Sequence, residues 1–355
     1  MLNELQNLVN FHSVTSDQAA VGRLLDYIEG KLALKGLQVE RIQHDGVHSL
    51  YASTNSQKHA KVMLQGHIDV VPGGQEFSQV GDRIYGRGCY DMLFATASYL
   101  QLIAELDDIH QYDISLLLTG DEEIGGLNGT KAVLDTAGYT CDVCILPDAG
   151  DSLGSMSVAA KGIYQLQLRA NGRSHHGSRP WEGDGAANKL MAFLHELSAA
   201  FDTSSQDNST FVISQLQAGN TALNQGPAEA FAGIDIRYKD ADDFARLQIT
   251  ISDLLQKYTI DVLHEEVGRN FALNTEAPLV QQFVSVYKSH MGQSISYTKA
   301  HGSSDARYFD DIGIPVIMFR PDGGNAHGDS EWLSYESWKK FHTILEHYVR
   351  EVAKA

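Results

Sequence analysis

Short apolar runs alternate with amphipathic segments in the first and last parts of the chain. The apolar runs lie at 62–64, 114–118, 143–146 and 315–319. Apolar residues recur with helical spacing at 17–34, 92–106 and 335–352. Continuous apolar runs of strand length are typical of strands that are buried on both faces of a parallel sheet. The pattern therefore predicts an α/β domain with a mostly parallel sheet.

The middle of the chain has a different pattern. It predicts strands at 163–170, 211–216, 230–238 and 260–267 and helices at 186–201 and 242–258. The order strand, helix, strand, strand, helix, strand is that of the ferredoxin-like α+β arrangement. Because apolar runs of the first type return afterwards, we expect an inserted domain at 161–268 and a first domain built from 1–160 and 269–355.

Composition and charge exclude several classes of protein. The chain has 355 residues, 43% of them hydrophobic, and a formal net charge of −18. Such acidity opposes binding to nucleic acid or to an anionic membrane as a main role. No run approaches the roughly 20 apolar residues of a membrane span, and the acidic N-terminus is unlike a signal peptide. We expect a cytoplasmic enzyme whose three cysteines are reduced core residues.

Acidic and imidazole side chains follow four of the predicted strands. The candidates are His67 with Asp69, Glu122 with Glu123, Asp148, and His327. In open α/β sheets, the binding site lies beyond the carboxyl ends of the strands. Residues i and i+2 of an extended segment point to the same side, so Asp69 is placed to support a ligating His67.

The chemistry of this set suits a divalent cation. Imidazole and carboxylate ligands are those of Zn²⁺, with Co²⁺ or Mn²⁺ as substitutes. Of the adjacent Glu122 and Glu123, one can ligate while the other takes a proton from water. Taken alone, an acidic pair is more often a solvated loop, so the neighbouring motifs carry the interpretation.

Those motifs together resemble a known family. The chain is similar, over essentially its whole length, to the di-zinc metallohydrolases that include aminoacylase, acetylornithine deacetylase, succinyl-diaminopimelate desuccinylase and carboxypeptidase G. The matching segments, in family order, are 66–69, 86–92, 121–123, 148, 176–180, 224–227, 235–237, 302–307 and 327–328.

The resemblance implies a role for each motif residue. It makes His67 and Asp148 ligands of one zinc ion, and Glu123 and His327 ligands of the other. It makes Asp91 the bridging ligand, with a cis peptide bond beside it.

The remaining catalytic roles follow from the same resemblance. Glu122 is the implied general base, and Asp69 is implied to orient His67. The inserted domain is implied to be a lid and dimerisation domain. From it, His176 is implied to stabilise the oxyanion in the partner subunit's site, and Asn224, Arg237 and Arg307 are implied to bind substrate.

The expected activity is metal-dependent hydrolysis of a small N-acyl amino acid or dipeptide by a homodimer. Asp148 stands where the amino- and dipeptidase branches more often have Asp and the deacylases Glu, which favours a dipeptide. Leu93 and Phe94 replace the usual Lys-Gly, and His301 replaces a glycine. The alternatives are a binding protein on the same fold that has lost catalysis, or a dipeptidase rather than a deacylase.

Overall fold

The chain divides into two compact units in a computed structural model that describes residues 1–219 and 222–354. Unit one comprises Met1–Val158, Ala272–Ala300 and the chain from Ser304 onward, and unit two comprises Ala159–Phe271 and His301–Ser303. Residues 220, 221 and 355 fall inside the predicted domains but outside the described residues. The predicted domain boundaries and the lid role stay predictions. Within the described ranges, no helix is both long and apolar enough to cross a membrane.

The secondary-structure elements are as follows. The strands are β1 (Gln38–His44), β2 (Val47–Ser53), β3 (His59–His67), β4 (Ser78–Val80), β5 (Arg83–Tyr85), β6 (Ile114–Thr119), β7 (Thr140–Ile145), β8 (Ser155–Ala160), β9 (Gly162–Asn171), β10 (His175–His176), β11 (Thr210–Ala218), β12 (Gln225–Gly226), β13 (Glu229–Tyr238), β14 (Ile260–Gly268), β15 (Phe271–Ala272), β16 (Ser296–Ala300), β17 (Val316–Ile317), β18 (Gly323–Gly324) and β19 (Trp332–Ser334). The helices are α1 (Leu2–Val9), α2 (Gln18–Ala33), α3 (Leu93–Glu105), α4 (Ala186–Ser198), α5 (Ala241–Tyr258), α6 (Pro278–Met291), α7 (Ala306–Asp310) and α8 (Tyr335–Val352).

The central sheet of unit one has the order β1-β2-β6-β3-β7-β17 among the described residues. Strands β6, β3, β7 and β17 pair in parallel, which confirms the mostly parallel sheet. Strands β1 and β2 are antiparallel at one edge. They form a hairpin because Asp45 and Gly46 both adopt positive φ, at 44° and 83°, as the tightest hairpin turns require.

Helices of unit one pack on the sheet and on one another. Helix α2 begins where predicted, since the Asp17 side chain accepts a hydrogen bond from the main-chain N–H of Ala20 at 3.0 Å. Helices α3 and α8 are joined by a buried hydrogen bond of 2.7 Å from the Trp338 indole to the Ser98 hydroxyl. Leu93 is buried at the start of α3, and the Phe94 ring meets Phe341 edge-on. Leu93 and Phe94, which stand in place of the Lys-Gly that is usual in the family, therefore pack in the core of unit one.

The core of unit two is a four-stranded antiparallel sheet with two helices. The strands of this sheet have the order β11-β13-β9-β14, and β10 and β12 pair separately. The order of the four strands is that of the predicted ferredoxin-like arrangement. Helices α4 and α5 bury their apolar sides against one face of the sheet, in a core that includes Leu168, Phe193, Ile236 and Leu247. The strands alternate in burial where they contribute to this core, as β9 does along its length.

Three described helices of unit one were not predicted, the short α7 and the longer α1 and α6. Helix α1 lies at the N-terminus, and helix α6 begins at Pro278 and ends at Met291, where Gly292 with φ 68° follows. Both carry apolar residues at helical spacing. Strand β17 is shorter than the predicted 315–319, although residues 316–319 are fully buried.

Candidate metal centre

The carboxyl ends of the parallel strands position the acidic and imidazole side chains. Strand β3 ends at His67, β6 is followed by Glu122 and Glu123, and β7 is followed by Asp148. His327 lies in the loop between β18 and β19, with a φ of 64°. The left-handed region is uncommon for residues other than glycine, so the loop fixes the direction of this imidazole.

Asp91 lies between the two imidazoles. Its Oδ1 is 3.3 Å from His67 Nε2, and its Oδ2 is 3.2 Å from His327 Nε2. The Asp91–Met92 peptide bond is cis, as the resemblance implied. One carboxylate thus offers one oxygen to each half of the site.

Further carboxylates flank each imidazole. On one side, Asp148 Oδ1 is 3.8 Å and Glu122 Oε2 is 4.0 Å from His67 Nε2. On the other side, Glu123 Oε2 is 2.8 Å from His327 Nε2. The predicted ligands and the predicted base therefore come together in unit one.

Asp69 contacts His67 and the turn that carries the two glutamates. The ring Nδ1 of His67 is 2.9 Å from the Asp69 main-chain carbonyl and 3.7 Å from its carboxylate. Because the carbonyl only accepts hydrogen bonds, Nδ1 carries a proton and Nε2 faces Asp91. The Asp69 carboxylate accepts hydrogen bonds from the Thr15 hydroxyl at 2.8 Å and from the main-chain N–H groups of Glu122 and Glu123 at 3.2 and 3.3 Å.

Burial and close charges shift the pKa values in the cluster. Burial raises the pKa of Glu123 to about 7 and holds that of Glu122 well above its usual range, where the nearby Asp148 charge adds to the effect. Burial opposes ionisation of Asp91, but hydrogen bonds with His327 and His67 lower its pKa overall. The pKa of His327 rises to about 8, chiefly through its hydrogen bond with Asp91.

The cluster fits a divalent cation. Ligand atoms of His67, Asp91 and Glu123 lie within 4.8 Å of one another. The second oxygen of Glu123 is buried and has no hydrogen-bond partner among the described residues. A buried carboxylate oxygen without a partner is costly unless a cation neutralises it. Imidazole with carboxylate is also the donor set that zinc and related ions prefer.

Three of the predicted site residues belong to unit two. His176 on β10 is paired with Gln225 on β12, next to Asn224. The exposed His176 ring accepts a hydrogen bond at Nδ1 from the main-chain N–H of Ser178 at 3.2 Å. Arg237 forms a forked pair with the Asp235 carboxylate, at 2.7 and 3.0 Å. The guanidinium that was predicted to bind substrate thus contacts a carboxylate of its own strand.

Arg307 also contacts its own chain. It is buried in α7, and its guanidinium donates to the Gly125 carbonyl at 2.7 Å and to the Tyr308 hydroxyl at 2.9 Å. The Gly125 carbonyl directly follows the 3₁₀ turn Glu122–Ile124. Arg307 therefore supports the turn that carries the two glutamates.

An ion pair that the sequence analysis did not assign also borders the site. Arg87 and Glu331 are both buried, and their side chains meet at 2.6 Å. Arg87 lies in the Gly-Arg-Gly segment before Asp91, and Glu331 follows His327 by four residues. Each of them lies four residues from a site residue in the sequence, Arg87 from Asp91 and Glu331 from His327. This spacing is the signal from which the sequence could have indicated them as candidates.

The fold and the site define a metal-dependent hydrolase: a mostly parallel α/β sheet presents imidazoles and carboxylates at its carboxyl edge. The chain belongs to peptidase family M20/M25/M40, whose family model matches residues 63–351. The family resemblance, the α/β fold class and the assignment to hydrolases are confirmed.

The similar proteins include desuccinylases among the sequence relatives and a tripeptidase among the solved structures. The chain is 29% identical over 374 aligned positions to a succinyl-diaminopimelate desuccinylase of Paracoccus denitrificans, covering 96% of each chain. It is 30% identical to the desuccinylase of Parvibaculum lavamentivorans, covering 89% of this chain and 88% of the relative. Among solved structures, a tripeptidase from Staphylococcus aureus superposes with a TM-score of 0.86 at 20% identity, covering 100% of this chain and 98% of the other.

Proposed function

We propose that the protein is a two-metal amidohydrolase that cleaves the amide bond of a small N-acyl amino acid or dipeptide. The observation that carries the proposal is the position of Asp91, whose two carboxylate oxygens each face a different imidazole, at 3.3 and 3.2 Å. A carboxylate that bridges two ions about 3.5–4 Å apart is the common element of two-metal hydrolytic sites.

The ligands divide into two sets in this proposal. His67 and Asp148 hold one ion, Glu123 and His327 hold the other, and Asp91 bridges them. The ions are two Zn²⁺, with Co²⁺ or Mn²⁺ as substitutes. When bound, such ions polarise the scissile carbonyl and lower the pKa of water.

Glu122 acts as the general base. Its carboxylate has a side-chain exposure of only 15% and lies 4.0 Å from His67 Nε2. Burial, with the nearby Asp148 charge, raises its pKa well above its usual range, so its affinity for a proton is greater than that of an exposed glutamate. Glu122 takes the proton from the attacking water and passes it to the nitrogen of the leaving amine. Asp69 holds Glu122 in place through the main chain and fixes the tautomer of His67 through its carbonyl.

His176 stabilises the oxyanion, in the partner subunit's site of a homodimer. Because His176 Nδ1 accepts the N–H of Ser178, the neutral ring carries its proton on Nε2, which is then free to donate to a developing negative charge. Asn224, beside it, contacts the substrate. Unit two is the lid and dimerisation domain, and the protein is cytoplasmic.

Within this function, the substrate is either an N-acyl amino acid or a dipeptide. The relatives named as desuccinylases favour an N-acyl amino acid, whereas Asp148 favours a dipeptide by the resemblance. A binding protein without catalysis is disfavoured, because the family is one of hydrolases and every proposed ligand and the base are present.

The test is hydrolysis of a substrate panel by protein stripped of metal with a chelator. The panel contains N-acetyl amino acids, N-succinyl-diaminopimelate, dipeptides and tripeptides, each assayed with and without added Zn²⁺ or Co²⁺. We expect cleavage only after metal is restored, and the cleaved compound assigns the branch. Equal cleavage by the stripped and the loaded protein would exclude the metal mechanism.

Glu122→Gln separates the chemical step from metal binding. Since the amide cannot accept a proton, we expect kcat to fall by roughly 10²–10⁴-fold while metal content is unchanged. The matched control is Glu336→Gln, a surface glutamate whose side chain pairs with Lys339 at 2.7 Å. Full activity of Glu122→Gln would exclude Glu122 as the base.

A further inference from the structure

The carboxylate of Glu331 holds the loop that leads to Asp91. It accepts hydrogen bonds from the main-chain N–H of Gly88 at 3.1 Å, of Tyr90 at 2.8 Å and of Asp91 at 3.0 Å. The side chain is only 1% exposed. Charge-assisted hydrogen bonds of this kind are strong, and a buried carboxylate depends on them. Glu331 therefore fixes the main chain of the residue that lies between the two imidazoles.

The guanidinium of Arg87 extends this contact to His327. One nitrogen donates to Glu331 at 2.6 Å, and another donates to the main-chain carbonyls of His327 and Gly328, both at 3.1 Å. His327 has a φ of 64°, so its main chain is in a region that needs external support. The same ion pair thus anchors the main chains of Asp91 and His327.

The two anchored residues face each other across one half of the site. Asp91 Oδ2 is 3.2 Å and Glu123 Oε2 is 2.8 Å from His327 Nε2. The other half shares Asp91, whose Oδ1 faces His67 at 3.3 Å. Its remaining two groups are His67 at the end of β3 and Asp148 after β7, and no described hydrogen bond joins either of them to Arg87 or Glu331. The ion pair therefore anchors two proposed ligands of one metal position, Asp91 and His327, but only the shared Asp91 of the other.

We propose that Arg87 and Glu331 form a positioning pair that sets the distance between Asp91 and His327. Resting on the proposed two-metal function, the pair governs occupancy of the metal position formed by Asp91, Glu123 and His327. It influences the first ion, bound by His67, Asp148 and the shared Asp91, much less, because it anchors only one of the ligands of that ion. Neither residue is among the proposed metal ligands or substrate-binding residues. They act through the main chain of two ligands.

Two conservative substitutions separate geometry from charge. Arg87→Lys keeps the positive charge, but one ammonium cannot reproduce the planar fork that reaches Glu331 and two carbonyls. Glu331→Gln keeps the shape, but its amide presents N–H donors to main-chain N–H donors. Arg87→Ala leaves a cavity in which a guanidinium ion can replace the lost side chain.

The experiment is stepwise loading of the metal-stripped full chain with Co²⁺. Binding is followed by the visible absorption of Co²⁺ and by calorimetry, with metal content measured after gel filtration. We expect Arg87→Lys and Glu331→Gln to bind the first ion within about threefold of the unsubstituted affinity and the second ion at least about tenfold more weakly. Millimolar guanidinium should restore the second ion to Arg87→Ala but not to Glu331→Gln.

The matched control is Asp243→Asn in unit two. It breaks another ion pair of a largely buried aspartate, with Arg246 at 2.7 Å, and should bind both ions as the unsubstituted chain does. Equal weakening of both ions in the Arg87 and Glu331 variants, or binding of both ions as tightly as in the unsubstituted chain, would overturn the positioning role. If the unsubstituted chain itself binds fewer than two ions, the proposed two-metal function is wrong. If it binds two ions but the variants do not weaken the second ion selectively, only the positioning role is wrong.

Discussion

The carboxylate of Asp69 accepts the main-chain N–H of Glu122 at 3.2 Å. Its other oxygen accepts the N–H of Glu123 at 3.3 Å, and the Thr15 hydroxyl donates to that same oxygen at 2.8 Å. The Asp69 carboxylate is therefore bonded mainly to the turn that carries the two glutamates, while its main-chain carbonyl contacts His67. One residue connects the proposed base, a proposed ligand of each ion and the strand end.

Removal of this carboxylate should affect catalysis and metal binding together. In Asp69→Ala, the turn that carries Glu122 and Glu123 loses its acceptor, so we expect kcat and metal affinity each to fall by about 10–100-fold. Thr15→Val is the control, because it removes only the hydroxyl donor and leaves both main-chain bonds. Steady-state kinetics and a zinc competition assay measure the two effects. Retention of both values in Asp69→Ala would mean that the turn holds its position without Asp69.

Arg307 distinguishes a supporting role from a substrate-binding role. The resemblance assigns it to a substrate carboxylate, whereas its guanidinium donates to the Gly125 carbonyl at 2.7 Å. If support of the turn dominates, Arg307→Lys should lower kcat by about tenfold with little change in KM. A raised KM at unchanged kcat would instead favour substrate binding. Michaelis–Menten kinetics on the cleaved substrate decide between the two.

Gly126 follows the same turn and has no room for a side chain. A Cβ at this position would collide with Asp305 Oδ1, and the Asp305 carboxylate is held by the Thr130 hydroxyl at 2.5 Å. The φ of 65° adds a conformational cost. We expect Gly126→Ala to lower the free energy of unfolding by about 2–5 kcal/mol, the sum of backbone strain and overpacking.

Gly313→Ala is the matched control for this substitution. Its φ is 76°, and no heavy atom lies within 4 Å of the added Cβ. It should therefore show only the backbone cost of about 1–2 kcal/mol. Urea denaturation of both variants measures the difference. Equal destabilisation would mean that Asp305 moves aside without cost.

The edge strand of unit two provides a test of the proposed dimer. Strand β11 lies at the edge of its sheet, and Val212 and Leu216 on it are 55% and 54% exposed. If this strand is covered in a dimer, a combined Val212→Asp and Leu216→Asp variant should be monomeric in light scattering after gel filtration, because buried charges oppose association. Leu34→Asp, at an 88% exposed position of unit one, is the control. A monomeric unsubstituted chain would refute the dimer.

Much of the fold follows from periodicity. The apolar runs predicted the parallel strands β3, β6 and β7, and the change of pattern predicted the order of elements in unit two, because both patterns depend only on which faces are buried. Helices α1 and α6 were missed although their signals are local. Pro278 at the first position of α6 and Gly292 after its end are ordinary boundary residues.

The contacts within the site were less predictable. The pairing of Arg237 with Asp235 could have been predicted from the sequence, because residues two apart on a strand point to the same side of the sheet. The pairing of Arg87 with Glu331 had no such pattern, because 244 positions separate them and only the folded chain brings them together. The motif residues, in contrast, were recognised because the resemblance supplied their joint spacing.

Unit two interrupts unit one between Val158 and Ala272, and this order matters during synthesis on the ribosome. A nascent chain that has emerged only as far as unit two already contains Asp91, Glu123 and Asp148, but it still lacks β17, His327 and α8. Domains generally fold as they emerge, so unit two can fold before the last segment of unit one has been synthesised. A translation product that is truncated there contains the carboxylates of the site but only one of its two imidazoles. The metal centre can therefore form only after the whole chain has been synthesised.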